Sequence, residues 1–102
     1  MINLQQNTRE LARWYVLLTL WHGGSIGVSE ALVLSTIQSV PMQISASDLR
    51  AAMTYLADLG LLKIEESRHG WHARLTPKGV DVVEYNTNPP SGIARPVKYW
   101  GG

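Results

Sequence analysis

The clearest pattern of apolar and polar positions lies between Ser45 and Gly60, where apolar residues recur every three or four positions. That spacing predicts a helix with one buried face. Ser45, followed three residues later by Asp48, resembles a capping box at the start of the helix, and Gly60 suits the left-handed residue that ends one. The expected buried stripe comprises Leu49, Ala52, Met53, Leu56 and Leu59.

Two short apolar runs follow this helix, separated by a polar turn that contains Gly70. They predict two antiparallel strands, at about 61–66 and 71–75, joined at 67–70. Thr76 and Pro77 suit the N-cap and the first position of another helix, which we expect to run to about residue 85. The order of helix, glycine, hairpin and helix is typical of a winged helix.

The N-terminal half supplies two more helices. We expect the first from about Asn7 to His22 and the second to be capped by Ser29, after a connector that holds a very short strand paired with the hairpin. Pro41 disfavours helix at Val40 and therefore marks the turn before the third helix. The first helix is expected to bury Leu4, Leu11, Tyr15 and Leu18, with Trp14, Leu17 and Trp21 widening that stripe, and the second to pack through Val28, Ala31, Leu32 and Ser35.

Together these elements predict an α+β fold, a winged helix-turn-helix with a three-helix core, a two-stranded wing, a fourth helix and an extended C-terminal tail. The chain has 102 residues, which the length prior assigns to one domain. We expect the winged-helix domain to span residues 1–85. Residues 86–102 contain three of the five prolines, so they form either a disordered tail or an extended strap, and their apolar residues favour docking of at least part.

Composition narrows the classes of function. Cysteine is absent, which excludes disulfides and thiol catalysis, and a net charge of +1 does not by itself indicate nucleic-acid binding. We find no secretion signal and no apolar run near the roughly 20 residues of a membrane span, so a cytoplasmic protein without membrane contact is expected. His69 and His72 lack convergent ligands, and no catalytic motif is recognisable, so we expect no metal, no cofactor and no enzymatic activity.

The third helix is the candidate recognition helix, whose outward side would enter the major groove of DNA. Asp48 and Asp58 on that side would repel phosphate, so a solvated helix that never binds DNA remains the alternative. The turn of the wing is basic and could contact phosphates, although Glu65 and Glu66 offset it and favour plain cross-strand Arg–Glu pairs instead. The candidate DNA-binding residues are Ser47, Arg50, Ala51 and Thr54 on the helix, with Arg50 as the base reader, and Arg68, His69 and Arg74 in the wing.

Aromatic residues are numerous in the first helix and include Tyr99 and Trp100 near the C-terminus. They either pack in the core or form the seam of a homodimer through the first helix and the C-terminal tail.

Two segments resemble known families. The run 59–62 (Leu-Gly-Leu-Leu), followed by 75–79 (Leu-Thr-Pro-Lys-Gly), resembles the end of the recognition helix and the exit from the wing in MarR- and PadR-type winged-helix regulators. Residues 75–82, followed by the Gly-Ile-Ala-Arg-Pro run at 92–96, are similar to small winged-helix proteins encoded in Mu-like phages and prophages. These resemblances imply the fold and a phage or prophage setting.

From the fold and the candidate surface we expect a protein that binds double-stranded DNA, as a transcriptional regulator or a DNA-handling accessory. The alternative is a protein-interaction or assembly module that uses the same scaffold without binding DNA.

Overall fold

The computed structural model describes residues 3–98, which form four helices and a small antiparallel sheet. A 3-10 turn at Gly24–Ile26 follows the first helix, and the strand order in the sheet is β1-β3-β2. The hairpin of β2 and β3, with its turn, is called the wing below. In chain order the elements are α1 (Leu4–Gly23), β1 (Val28–Ser29), α2 (Glu30–Gln38), α3 (Ala46–Asp58), β2 (Leu62–Ser67), β3 (Gly70–Leu75) and α4 (Pro77–Val83).

Capping residues set the helix boundaries. The Ser45 hydroxyl accepts a hydrogen bond from the Asp48 backbone N–H while the Asp48 carboxylate accepts one from the Ser45 N–H, which confirms the capping box before α3. Helix α1 begins three residues earlier than predicted because the side chain of Asn3 caps it. Helix α4 ends two residues before its predicted end, and Tyr85 beyond it has a φ of +61°.

The wing is the predicted antiparallel hairpin. Leu62 lies opposite Leu75 and Ser67 lies opposite Gly70, so strand boundaries fall within one residue of those expected. The expected short strand in the connector is present as β1, where Val28 pairs with Ala73 of β3. This third strand ties the connector after α1 to the wing.

Helix α1 packs against α2, α3, α4 and β3, so its second half is covered on several sides. The predicted buried stripe was right only in part. Trp14 and Leu17 are buried, and Leu11, Tyr15 and Leu18 are half-buried against the core, but Leu4 is 74% and Trp21 39% exposed. Since this half of the helix is apolar nearly all round, its periodicity fits more than one stripe. The residues that α1 buries are Ala12, Trp14, Val16, Leu17 and Leu20.

Of the residues predicted to pack α2 against the core, only Val28 is buried, for the same reason. Leu32 is 58% exposed and Ala31 and Ser35 are exposed, whereas Val33 and Ile37 are buried. Most positions of this short helix are apolar, so contacts with the rest of the core decide which side is buried. In α3, by contrast, the predicted stripe is confirmed, with Leu59 half-buried at its end.

Residues 86–98 lie across α1 and α3 and then return to α4. The Ala94 backbone N–H donates to the Glu10 carbonyl, and the Tyr55 hydroxyl donates to the Ser91 carbonyl at 2.8 Å. Arg13 lies over the Tyr55 ring, 3.7 Å from its centroid, and donates to the Gly92 carbonyl. The division of the chain at residue 85 stays a prediction, and Tyr99 and Trp100 lie outside the described residues.

Candidate nucleic-acid interface

Helix α3 presents one exposed side opposite its buried stripe. Ser47, Arg50, Ala51 and Thr54 all lie on that exposed side. The backbone N–H of Ser45 holds the pKa of the Asp48 carboxyl below its ordinary value, so this carboxylate is committed to the helix cap. Asp48 therefore adds negative charge at the start of α3, next to Ser47.

The wing carries its exposed basic residues at two separate places. Arg68 and His69 form the exposed turn, where the Ser67 hydroxyl accepts a hydrogen bond from the His69 N–H. Arg74 lies four residues along β3 from Gly70, roughly 14 Å from the turn at the rise of a strand. The structure therefore does not bring Arg74 together with the two residues of the turn.

Arg74 is paired within the wing. Its Nη1 donates to Oε1 of Glu65 at 2.9 Å, diagonally across the hairpin, while Lys63 lies directly opposite Arg74 in the register. This is the cross-strand Arg–Glu pair that the sequence offered as the alternative to phosphate binding.

Arg50 is held by a residue that sequence reasoning did not select. Its Nε donates to Oε2 of Glu30 at 2.9 Å and its Nη2 donates to Oε1 at 2.7 Å, so the pair is bidentate. The guanidinium carbon also lies 4.4 Å from the centroid of the Trp71 ring. Arg50 thus connects α3 to the first residue of α2 and to the wing.

The two partners of Arg50 had no recognisable signal in the sequence. Glu30 stands 20 positions before Arg50 and Trp71 stands 21 positions after it, so neither shares a local pattern with it. The tertiary packing of α2 and the wing against α3 creates the cluster.

The hydrogen bonds from Arg50 hold the pKa of the Glu30 carboxyl below its ordinary value, and the Trp71 backbone N–H adds a smaller contribution. The same hydrogen bond raises the pKa of Arg50. Both groups therefore stay charged around neutral pH, and their charges cancel within the surface.

The structure gives no support to a metal centre at the histidines. Nε2 of His72 lies 2.8 Å from the Ile26 carbonyl oxygen, in the connector before β1. Among residues 3–98, no group of three or more His, Asp or Glu side chains could hold a metal ion. Over the same range, none of the helices combines the length and hydropathy that a membrane span requires.

Among solved structures, the chain is similar to the crystal structure of SSV1 F-93, with a TM-score of 0.56 and 18% sequence identity. The similarity covers 74% of this chain and 86% of that chain. The fold is a winged helix-turn-helix. No protein-family model matches the sequence, and no curated protein matches it. At this identity the similarity shows the fold alone.

Within the winged helix, α2 and α3 form the helix-turn-helix and β2 and β3 form the wing. The contact of Arg50 with Trp71 places the exposed side of α3 beside the wing. Four candidate residues, Ser47, Arg50, Ala51 and Thr54, therefore share one helix side, and the turn residues Arg68 and His69 extend from it along the hairpin.

Proposed function

We propose that this chain binds double-stranded DNA as a transcriptional regulator or a DNA-handling accessory. The observation that carries the proposal is the continuous exposed side of α3 joined to the wing through Arg50 and Trp71. In winged helices the helix enters the major groove and the hairpin contacts the flanking backbone or minor groove. The resemblance to Mu-like phage proteins supports a phage or prophage setting, in which the protein acts in the cytoplasm.

The roles of the candidate residues follow from their chemistry. Arg50 can read a guanine, while Ser47 and Thr54 have hydroxyls that can bind bases or phosphate. Ala51 leaves room for close approach or contacts a thymine methyl group. Arg68 and His69 at the turn, and Arg74 where it is released from Glu65, bind phosphates.

A second function is favoured by the charge pairing. Arg50 and Arg74 are both neutralised by glutamates, which lowers the positive charge available to phosphates. A protein-interaction or assembly module on the winged-helix scaffold is the candidate that such a nearly neutral surface favours.

A salt titration of binding to random-sequence duplex DNA tests the first function. Removing one cation that binds a phosphate should reduce the slope of log affinity against log salt by about one. We expect Arg68→Ala to weaken binding to all sequences alike and to reduce that slope, because Arg68 is an exposed cation at the wing turn. Lys98→Ala is the matched control, since Lys98 is an exposed cation beside Tyr85 and away from the wing.

DNA binding would be refuted if low-salt binding assays at high micromolar protein showed no complex. If a complex did form and reversing Arg50 and Arg68 to glutamate left its affinity unchanged, DNA would bind elsewhere on the protein, and the assignment of α3 and the wing turn would be refuted. Absence of any complex would leave the protein-interaction function as the better account of the surface.

We also propose that the protein is a homodimer. The side of α1 that carries Leu4, Leu11, Tyr15 and Leu18 is uncharged and is only partly covered by the rest of residues 3–98. Leu32 of α2 lies beside it, across a groove that Tyr15 and Leu18 also line. Two copies would place two recognition helices on one DNA duplex, which offsets the weak charge of each.

A further inference from the structure

The bidentate pair between Arg50 and Glu30 uses only one edge of the guanidinium. Nε and one hydrogen of Nη2 are bonded to the carboxylate, at 2.9 and 2.7 Å. Arginine has five N–H donors in a planar fork, so Nη1 and the second hydrogen of Nη2 are outside this contact. These remaining donors form the end of the fork, the edge that can bond O6 and N7 of a guanine together.

The Trp71 ring restricts the guanidinium further. The guanidinium lies over that ring, and the Trp71 indole N–H in turn donates to Oε1 of Glu66 at 3.2 Å. An arginine that is bonded along one edge and lies over an aromatic ring has less conformational freedom left to lose on binding than a free arginine side chain. The side chain of Arg50 nevertheless remains 46% exposed.

Glu30 is itself fixed between α2 and the wing. It is the first residue of α2, the Trp71 backbone N–H of the wing helps to lower the pKa of its carboxyl, and a Cβ added at Gly70 would lie 3.1 Å from its Oε1. Glycine at position 70 therefore leaves the space that the Glu30 side chain occupies. The carboxylate therefore lies against the wing as well as against Arg50.

We propose that Glu30 is a positioning residue for sequence recognition, which fixes the Arg50 guanidinium so that its Nη1–Nη2 edge is presented to a guanine in the major groove. This inference rests on the proposed DNA-binding function. Glu30 should then have opposite effects on the overall affinity for DNA and on the preference for one sequence. The glutamate weakens attraction to every phosphate, and it raises the preference for one base by preorganising the fork.

The test begins with duplexes selected from a random pool by the wild-type chain. Affinities for a selected duplex and for a scrambled duplex of equal length are then measured at one salt concentration. We expect Glu30→Gln to bind the scrambled duplex more tightly, because one negative charge is removed. We expect the ratio of selected to scrambled affinity to fall at least about five-fold, the lower end of what a bidentate arginine–guanine pair contributes.

Glu65→Gln is the matched control, since Glu65 also pairs with an arginine of this surface but without a stacked indole. It should raise both affinities together and leave their ratio unchanged. In the Arg50→Ala background, Glu30→Gln should no longer change the ratio. A new selection with Glu30→Gln should lack one guanine preference found with the wild type.

Arg50→Lys provides a second measurement that does not depend on how well the Glu30 variant folds. Lysine keeps the charge but lacks the planar fork, so the ratio should fall while affinity for the scrambled duplex stays nearly constant. The inference is overturned if Glu30→Gln behaves like Glu65→Gln, or if Arg50→Lys keeps the wild-type ratio. Those results leave the proposed function intact, whereas failure of the wild type to bind any duplex would overturn both.

Discussion

At the scale of single residues, Glu30 makes the most consequential contact in the candidate site. One carboxylate joins the first turn of α2, the outward side of α3 and the backbone of the wing. A glutamate at the start of a helix normally contributes a small favourable interaction with the helix dipole. Here its main partner is a guanidinium, so its effects on stability and on binding can be measured separately.

The Glu30 contact predicts how stability changes with pH. The pKa of this carboxyl lies below its ordinary value near 4.5 in the folded protein, chiefly because Arg50 is bonded to it. A carboxyl with a lowered pKa stabilises the folded state at neutral pH, and this contribution disappears as pH falls through the folded pKa. Glu30→Gln should therefore be less stable than the wild type at about pH 7, and the difference should vanish in acid.

Chemical denaturation of both proteins at neutral pH and well below pH 4.5 measures this difference. Asp48 also has a lowered pKa, but it is present in both proteins, so its contribution cancels in the comparison. An equal decrease in stability at both pH values would show that the substitution acts through packing and not through the ion pair.

Predictions from sequence at this scale succeeded where the interaction was local. Ser45 and Asp48 are three positions apart and their capping box is present, and Gly60 has the predicted positive φ of +77°. The pairing of Arg50 with Glu30 and Trp71 could not be predicted, because the three residues belong to three separate elements. Only the way those elements pack together determines that they meet.

At the scale of elements, α3 is the helix whose buried and exposed sides the sequence predicts without ambiguity. Its apolar residues are separated by polar ones on the other side, so a single stripe fits the period. The apolar halves of α1 and α2 lack that contrast, and their buried residues were predicted only in part. Periodicity identifies an element well but assigns its face only when the opposite face is polar.

A pair of leucine substitutions tests these assignments. Leu56 of α3 is fully buried, so Leu56→Ala should cost roughly 2–5 kcal/mol because apolar contacts are removed and a cavity remains. Leu32→Ala makes the same change in α2 at a side chain that is 58% exposed, and it should lower the stability of the monomer by no more than about 0.5 kcal/mol.

Denaturant titrations of the two variants beside the wild type give both values. A stability of about 5–15 kcal/mol is usual for a domain, so the Leu56 variant should show a large shift of its midpoint. Equal shifts in the two variants would contradict the assignment of the buried sides.

At the scale of the whole molecule, residues 86–98 cover a surface where α1 and α3 meet. Ile93 is buried in the core cluster, and Arg95 donates to the carbonyls of Val82 and Thr87 at 2.8 Å. The sequence left this segment open between a disordered tail and a strap. Prolines exclude regular helix but do not determine whether an extended segment has a surface to pack on.

The side of α1 that carries Leu4, Leu11, Tyr15 and Leu18 is the proposed dimer seam. The residues that the sequence selected as its buried stripe share one side of the helix, and the monomer leaves that side partly exposed. Leu4, at 74% exposed, and the half-buried Leu11, Tyr15 and Leu18 leave apolar surface along this side that the monomer does not cover. A second copy, packed helix against helix, would bury it.

Sedimentation over a wide concentration range should therefore show a dimer that dissociates on dilution. Leu4→Glu places a charge on the proposed seam at a residue that is already 74% exposed, so it should favour the monomer without unfolding the domain. Ile26→Glu is the matched control, because Ile26 is also strongly exposed but lies in the turn after α1, and its variant should dimerise like the wild type. A monomeric mass at every concentration would exclude the dimer, and equal dissociation of the two variants would place the seam elsewhere.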